Sequence, residues 1–474
     1  VSGGGASESG TQTVTITISE NESAPTVALS VSASSIAENA GSSLTITATL
    51  SGAADEAVTV SLSTSSTATE GTDYTDGSGN VDDITISAGS TTGTVNFTPT
   101  DDSVYEGNET ATIAISGVSG ADATENGTQT VTITITENES APTITLARSA
   151  ASIDENSGST ITLTATISGV TDSAVTVALS TSGTATEGTD YGTISDITIS
   201  AGATTGTATL DPTDDNVYEG DETATIDISS VSGKSGVTEN STQQVSVTIA
   251  ENESAPTVTL ATSATSIAEN AGASLTLTAT LSVATTADVT VALSTSGTAT
   301  EGTDYTDGSG AIDDIVISAG ATTGTVSFTP TDDSLYDATS NETATIAISG
   351  VSGGSASESG TQTVTITITD NESAPTVTLA TSATSIAENS ASTLTLTATL
   401  SVATYQDVTV SIGSSGTATE GTDYGTVSDI TISAGATTGT TTFDPTDDSD
   451  ETDTVTATLA ITGVSGGSAS ESGS

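Results

Sequence analysis

Residues 128–143 read TQTVTITITENESAPT, and two changes of pattern inside this stretch decide the fold. From Thr130 to Thr136, Val131, Ile133 and Ile135 fall on one face of an extended chain and the threonines on the other, the period-two signature of a half-buried strand. The alternation then stops at two acids, Glu137 and Glu139, and at Pro142. The closing motif NESAPT returns at Asn21, Asn138, Asn252 and Asn371, so the chain repeats about every 115 residues, the size of one ordinary domain. All eight prolines keep step: Pro25, Pro142, Pro256 and Pro375 open the repeats, and Pro99, Pro212, Pro330 and Pro445 precede acid-rich loops. The expected organisation is a leading segment 1–20 and repeats over 21–137, 138–251, 252–370 and 371–474.

The same alternation recurs within a repeat, as in SLTITATL (Ser43 to Leu50), AVTVSLS (Ala57 to Ser63) and ETATIAIS (Glu109 to Ser116), with Gly, Ser and Asp between the runs. About seven strands per repeat are expected, packed as two antiparallel sheets. This is an all-β, immunoglobulin-like sandwich used in tandem as an elongated rod of about 40 Å per repeat. The tyrosines that follow each GTD turn, Tyr74, Tyr191, Tyr305 and Tyr424, are expected to cap the cores. The cores should be thin, since the second repeat has only Tyr191 and Tyr218 as aromatics.

Composition narrows the function. The net charge is −59, with Arg148 and Lys234 as the only basic side chains, which excludes nucleic acid and anionic membrane as partners. No apolar run approaches the roughly 20 residues of a membrane-spanning helix. With no Cys or His, neither disulfides nor thiolate or imidazole ligands are available, so any metal must be held by oxygen. With no Met either, the chain is expected to be a processed product or an excerpt.

Most of the acids stand in loops. TPTDDSVYEGNET (Thr98 to Thr110) returns as DPTDDNVYEGDET, TPTDDSLYDATSNET and DPTDDSDETDT. Carboxylates gathered this closely repel unless a cation offsets them. The order of IAEN (Ile36 to Asn39), GTDY (Gly71 to Tyr74), DDSVYEGNE (Asp101 to Glu109) and TENES (Thr136 to Ser140) resembles the Calx-beta domain, a calcium-binding sandwich of sodium/calcium exchangers that also recurs in large bacterial surface proteins. The resemblance covers nearly the whole chain, four times over. It implies calcium at one end of the first sandwich, held by residues matching Glu38, Asp73, Asp101, Asp102, Glu106 and Glu109, with Glu137 and Glu139 of the linker. In the second repeat the matches are Glu155, Asp190, Asp214, Asp215, Glu219 and Glu222, then Glu251 and Glu253. In the third they are Glu269, Asp304, Asp332, Asp333, Asp337 and Glu342, then Asp370 and Glu372. In the fourth they are Glu388, Asp423, Asp447 and Asp448, with the later acids shifted to Asp450, Glu451 and Asp453. Several calcium ions per repeat, clustered at the junctions, would stiffen a flexible string. The loops DGSGNVDD after Tyr74 and DGSGAIDD after Tyr305 are expected to be solvated turns, because the second and fourth repeats lack them.

Residues 1–25, VSGGGASESGTQTVTITISENESAP, nearly duplicate residues 351–375, the final strand and linker of the third repeat, whereas the fourth repeat stops short of that strand. The two ends are therefore expected to complement each other between copies. Thr11 to Glu20 would enter the fourth repeat of a neighbour, and Glu20 and Glu22 would complete its calcium site. Expected partners are thus copies of the chain head to tail, or further repeats of the same chain. The corresponding function is an extracellular calcium-stabilised filament, stalk or matrix. The alternative is a spacer within a giant surface adhesin that meets glycans or other cells; a calcium sensor fits four near-copies less well. Enzyme activity is not expected, since the acid pairs recur in every repeat with no His, Cys or Trp to assist them.

Overall fold

In the computed structural model, residues 3–337, 341–448 and 454–473 are described. They contain strands and turns but no helix, hence none long and apolar enough to cross a membrane. The chain divides into two compact units, Val1–Asp214 with Glu222–Ala250, and Asp215–Asp221 with Glu251–Ser474.

The first repeat sets the pattern. Its strands are β1 (Thr26–Val31), β2 (Ser35–Ala37), β3 (Leu44–Leu50), β4 (Val58–Ser66), β5 (Tyr74–Thr75), β6 (Ile84–Ile86), β7 (Thr92–Pro99), β8 (Val104–Tyr105), β9 (Glu109–Ser119), β10 (Thr124–Glu125) and β11 (Thr130–Thr136). One sheet runs β10-β1-β3-β7-β5 and the other β2-β11-β9-β4-β6. The alternation seen in the sequence faces inward as expected: Ile46, Val58, Val60, Ile113 and Ile133 are fully buried between the sheets. Each such side chain contributes roughly 1.5–3 kcal/mol. Tyr74 stacks on Phe97 with ring centroids 4.5 Å apart, and the other three GTD tyrosines are likewise buried. In the second repeat, Leu210 faces Ile161 where Phe97 faces Leu44, so an aliphatic side chain takes the place of that ring.

Two sets of acids build the sandwich. Each long central pair carries a bulge, and an aspartate accepts the N–H it leaves free: Leu62 donates to Asp83 at 3.0 Å, Leu179 to Asp196 at 3.1 Å, Leu293 to Asp314 and Ile412 to Asp429 at 3.0 Å. The glutamate of each ATEG turn closes a loop, as where Glu70 accepts from Thr64 and from the Val81 N–H. The turn after β9 requires glycine at Gly120, where φ is +95° and a Cβ would run into the Ala57 carbonyl oxygen.

The fourth repeat departs from the pattern. Its second sheet holds three strands, Ala457–Ser465, Val408–Gly416 and Ile430–Ile432, and the outer edge of Ala457–Ser465 has no neighbour among the described residues. Beside that edge lies an open cleft of about 530 Å³ lined by Leu379, Ile386, Leu394, Phe443, Val455 and Leu459. Residues 3–25 form no strand, and Val14, Ile16 and Ile18 are 89%, 80% and 91% exposed.

Candidate metal centre

The acids of the first repeat gather because of how its short strands pair. β2 lies parallel to β11, with Ile36 beside Ile135 and Ala37 beside Thr136, so the residues that follow both strands emerge side by side. Those residues are Glu38 and Glu137, and carboxylate oxygens of Glu38, Glu137 and Glu139 lie within 4.8 Å of one another. A second group forms where β5, β8 and β9 meet: Asp73 precedes β5, Glu106 follows β8, Glu109 opens β9, and their oxygens obey the same limit.

Electrostatics separates the members. The Glu106 and Gly107 N–H groups donate to Glu137 Oε2 at 2.6 Å each, and those of Asn138 and Glu139 to Oε1 at 2.9 Å each. Burial opposes ionisation of Glu137, but a bond from the Glu139 side chain together with these N–H groups outweighs it and holds the carboxyl below its usual range. The neighbours go the other way. Burial pushes Glu38 up to about 7, against the Asp102 N–H and helped by the charges of Glu137 and Glu139. Burial and the Asp73 charge do the same to Glu109, and burial with Asp73 and Asp102 to Glu106, each to about 7. Glu139 is raised to about 7 chiefly by its bond with Glu137, and its Oε2 is shielded from solvent with no hydrogen-bond donor against it. Acids drawn together at this cost form a site suited to a cation.

Asp101 and Asp102 stand differently. Both are exposed, and Asp102 Oδ1 accepts the Val104 N–H at 2.6 Å, closing the turn into β8. The acids of the second repeat are shared out between the compact units. Glu155, Asp190, Asp214 and Glu222 belong to the first unit, and Asp215, Glu219, Glu251 and Glu253 to the second. Within the second unit Glu251 repeats the role of Glu137, accepting Glu219 and Gly220 at 2.6 and 2.8 Å and Asn252 and Glu253 at 3.0 and 2.9 Å.

The third repeat gathers Glu269, Asp332 and Glu372 within the same limit. Asp370 accepts the N–H groups of Asp337 at 2.8 Å and Glu372 at 2.7 Å. Burial pushes Glu269 to about 7; burial and the Asp304 charge push Glu342 equally far. Glu269, Asp304, Asp333, Asp337, Glu342 and Asp370 surround a cavity of about 20 Å³. A cavity of roughly 10–15 Å³ already accommodates one water, and six carboxylates around such a space suit a hard cation taking six to eight oxygens. Calcium fits these residues.

The fourth repeat does not gather its acids. Ser385 to Ala387 form no strand, Glu388, Asp447 and Asp448 are exposed, and only Asp423 is partly buried, its Oδ2 accepting the Thr419 N–H at 2.7 Å. No group of three close acids occurs there among the described residues, and Asp450, Glu451 and Asp453 lie outside those residues. Glu20 and Glu22 are exposed, but Glu20 Oε1 already accepts the Asn21 and Glu22 N–H groups at 2.9 and 3.2 Å, as Glu137 does with Asn138 and Glu139. The DGSG loops are turns closed on themselves: Asp76 Oδ1 accepts the Ser78 and Gly79 N–H groups at 2.7 and 2.9 Å.

Sequence reasoning missed the side chains that one repeat presents to the acids of the one before it. Val170 and Thr171 pair in parallel with Val104 and Tyr105 of β8, bringing Asp172 toward Glu106 and Glu109. Ala403 and Thr404 pair likewise with Leu335 and Tyr336, and the next residue, Tyr405, donates its hydroxyl to Asp333 at 2.9 Å. Two-residue strands leave no periodic signal, although Lys234 and Tyr405 stand out as rare residue types in this chain.

The family model described as "Calx-beta domain" matches residues 20–139, 137–253, 251–372 and 370–459. No curated protein matches the chain in sequence. Among solved structures, CBD12 from CALX1.2 is 17% identical, covering 47% of this chain and 99% of that one with a TM-score of 0.22. The apo-form Calx CBD1 domain is 22% identical, covering 23% and 99%, with a TM-score of 0.20. Invasin, titled a bacterial integrin-binding protein, is 14% identical, covering 79% and 76%, with a TM-score of 0.23. Membership rests on the sequence match, which spans nearly the whole chain: this protein belongs to the Calx-beta domain family and carries four such domains in tandem.

Proposed function

We propose that the chain is a calcium-stabilised structural protein of the cell exterior, whose copies join head to tail by strand addition. When bound, calcium supplies the positive charge that lets the clustered carboxylates ionise together. Glu38, Glu137 and Glu139, Asp73, Glu106 and Glu109, and the acids around the cavity of the third repeat would hold it. Because these acids come from loops and linker at once, binding draws the linker against the domain. Nothing in the arrangement calls for catalysis.

The observation that carries the assembly is the match between the open cleft of the fourth repeat and residues 11–20. In the third repeat, the strand Thr363–Thr369 fills the corresponding place, with Val364 opposite Ile346, Ile366 opposite Ala344 and Ile368 opposite Glu342. Val14, Ile16 and Ile18 are the same residue types in the same order, and Leu459, Ala457 and Val455 hold the facing positions in the fourth repeat. Strand addition in this register would bury three exposed side chains at roughly 1.5–3 kcal/mol each. It would also bring Glu20 and Glu22 beside Glu388, as Asp370 and Glu372 stand by Glu269. The chain in millimolar calcium should assemble into fibres visible by electron microscopy, and an I16D/I18D variant should remain monomeric. Fibres from that variant would refute strand addition. Calcium-stabilised single particles from the unaltered chain would favour the spacer role in a longer array.

A further inference from the structure

The chain has one lysine, and it lies where two repeats meet. Lys234 sits in the turn after the long strand Glu222–Ser232, its side chain 12% exposed. Its ammonium is 2.6 Å from Asp172 Oδ1 and donates to the main-chain carbonyl of Glu106 in the first repeat. The contact is built on both sides. Asp172 is held by the parallel pairing of Val170–Thr171 with β8. Tyr105 of β8 packs against the core of the second repeat and over Gly236, where φ is +88° and a Cβ would run into the tyrosine hydroxyl. Lys234 thus offsets the negative charge that Asp172 brings beside Glu106, one of the acids assigned above to calcium.

No other repeat can make this contact. The residue after the turn glycine is Ala121 in the first repeat, Gly354 in the third and Gly467 in the fourth. Where the third repeat meets the fourth, Tyr405 stands in the place of Asp172 and offers one neutral hydroxyl to Asp333. The Tyr405 hydroxyl gives the second joint one neutral bond, whereas the ammonium offsets Asp172, the acid that the second repeat brings beside Glu106 and Glu109, and also donates to the first repeat, so that it spans the joint with charge-assisted bonds.

We propose that Lys234 is a built-in counter-cation that keeps the first and second repeats joined when calcium is absent, while the third and fourth separate. The contrast between the two joints rests on the calcium reading above. The test uses the full chain, which has no cysteine of its own. Spin labels on the exposed, matching positions T49C/T166C report the first joint and T280C/T399C the second, with distances measured by double electron–electron resonance in calcium and in chelator. The expected result is that chelation broadens the 280–399 distribution and leaves 49–166 narrow, and that K234A broadens 49–166 in chelator. A 49–166 distribution that stays narrow in K234A overturns the proposal, as does one that broadens in the unaltered chain as much as 280–399 does. A 280–399 pair that ignores calcium would sink the calcium reading of that joint, while the K234A comparison, made in chelator, still decides the role of Lys234. Acylation provides a second readout that needs no variant: in chelator, Lys234 should react about tenfold more slowly than in the denatured chain. Equal rates would count against the latch.

Discussion

Replacing Glu38 by Gln should have opposite effects with and without calcium. The carboxyl is 6% exposed and its value in the folded chain is about 7, against an ordinary 4.5. The folded state therefore holds this proton more tightly than the unfolded one. The stabilisation is complete below about pH 4.5 and is lost as the pH rises to about 7. At about 1.4 kcal/mol per unit, the ionised group costs the calcium-free first repeat roughly 3 kcal/mol near pH 8 and almost nothing near pH 4. An uncharged glutamine keeps an oxygen for the Asp102 N–H and removes that cost. Hydrogen exchange of the β11 amides reports opening of this repeat, and in chelator near pH 8 it should be about a hundredfold slower in E38Q than in the unaltered chain. Near pH 4 the two should agree, and in calcium E38Q should exchange faster because a charged ligand is gone. Equal or faster exchange of E38Q in chelator near pH 8 would refute the claim that the acids are held together at a cost.

Three further outcomes are expected. E269Q should weaken calcium binding followed by titration calorimetry about tenfold or more, whereas E388Q, an exposed acid of the fourth repeat, should change it little in the unassembled chain. Phe97→Ala removes the ring that stacks on Tyr74 and should cost about 3–5 kcal/mol, read from urea unfolding of the first repeat; a loss under about 1 kcal/mol would mean that the two sheets close over the gap. Gly120→Ala should destabilise the same repeat by more than the roughly 1 kcal/mol of an ordinary glycine replacement, because backbone must move as well, and an unchanged melting temperature would contradict the packing at that turn.

The sandwich was legible because alternation reports burial directly: the pattern at Ile133 and Ile135 of an inward face ends with both buried. Short strands such as β2 and β8 were not, since two or three residues carry no period and their partners lie far along the chain. The site was legible in part for the same reason. Glu38, Glu137 and Glu139 meet only because β2 pairs with β11 about a hundred residues away. Asp101 and Asp102 show the limit of counting acids, for Asp102 accepts the Val104 N–H while the burial falls on Glu106 and Glu109. The roles of Asp172, Lys234 and Tyr405 were not legible because they act on the repeat before their own.

The pairing of β11 on both edges has a mechanical side. It lies between β9 and β2, and its last residue leads directly into the linker. Tension along the chain therefore pulls β11 lengthwise, loading its bonds to both neighbours in shear, so that they resist together instead of opening one after another. In the fourth repeat the outer edge of Ala457–Ser465 has no neighbour among the described residues, so that strand is held from one side only. A strand supplied to that edge would be loaded in shear against Ala457–Ser465, as β11 is against β9.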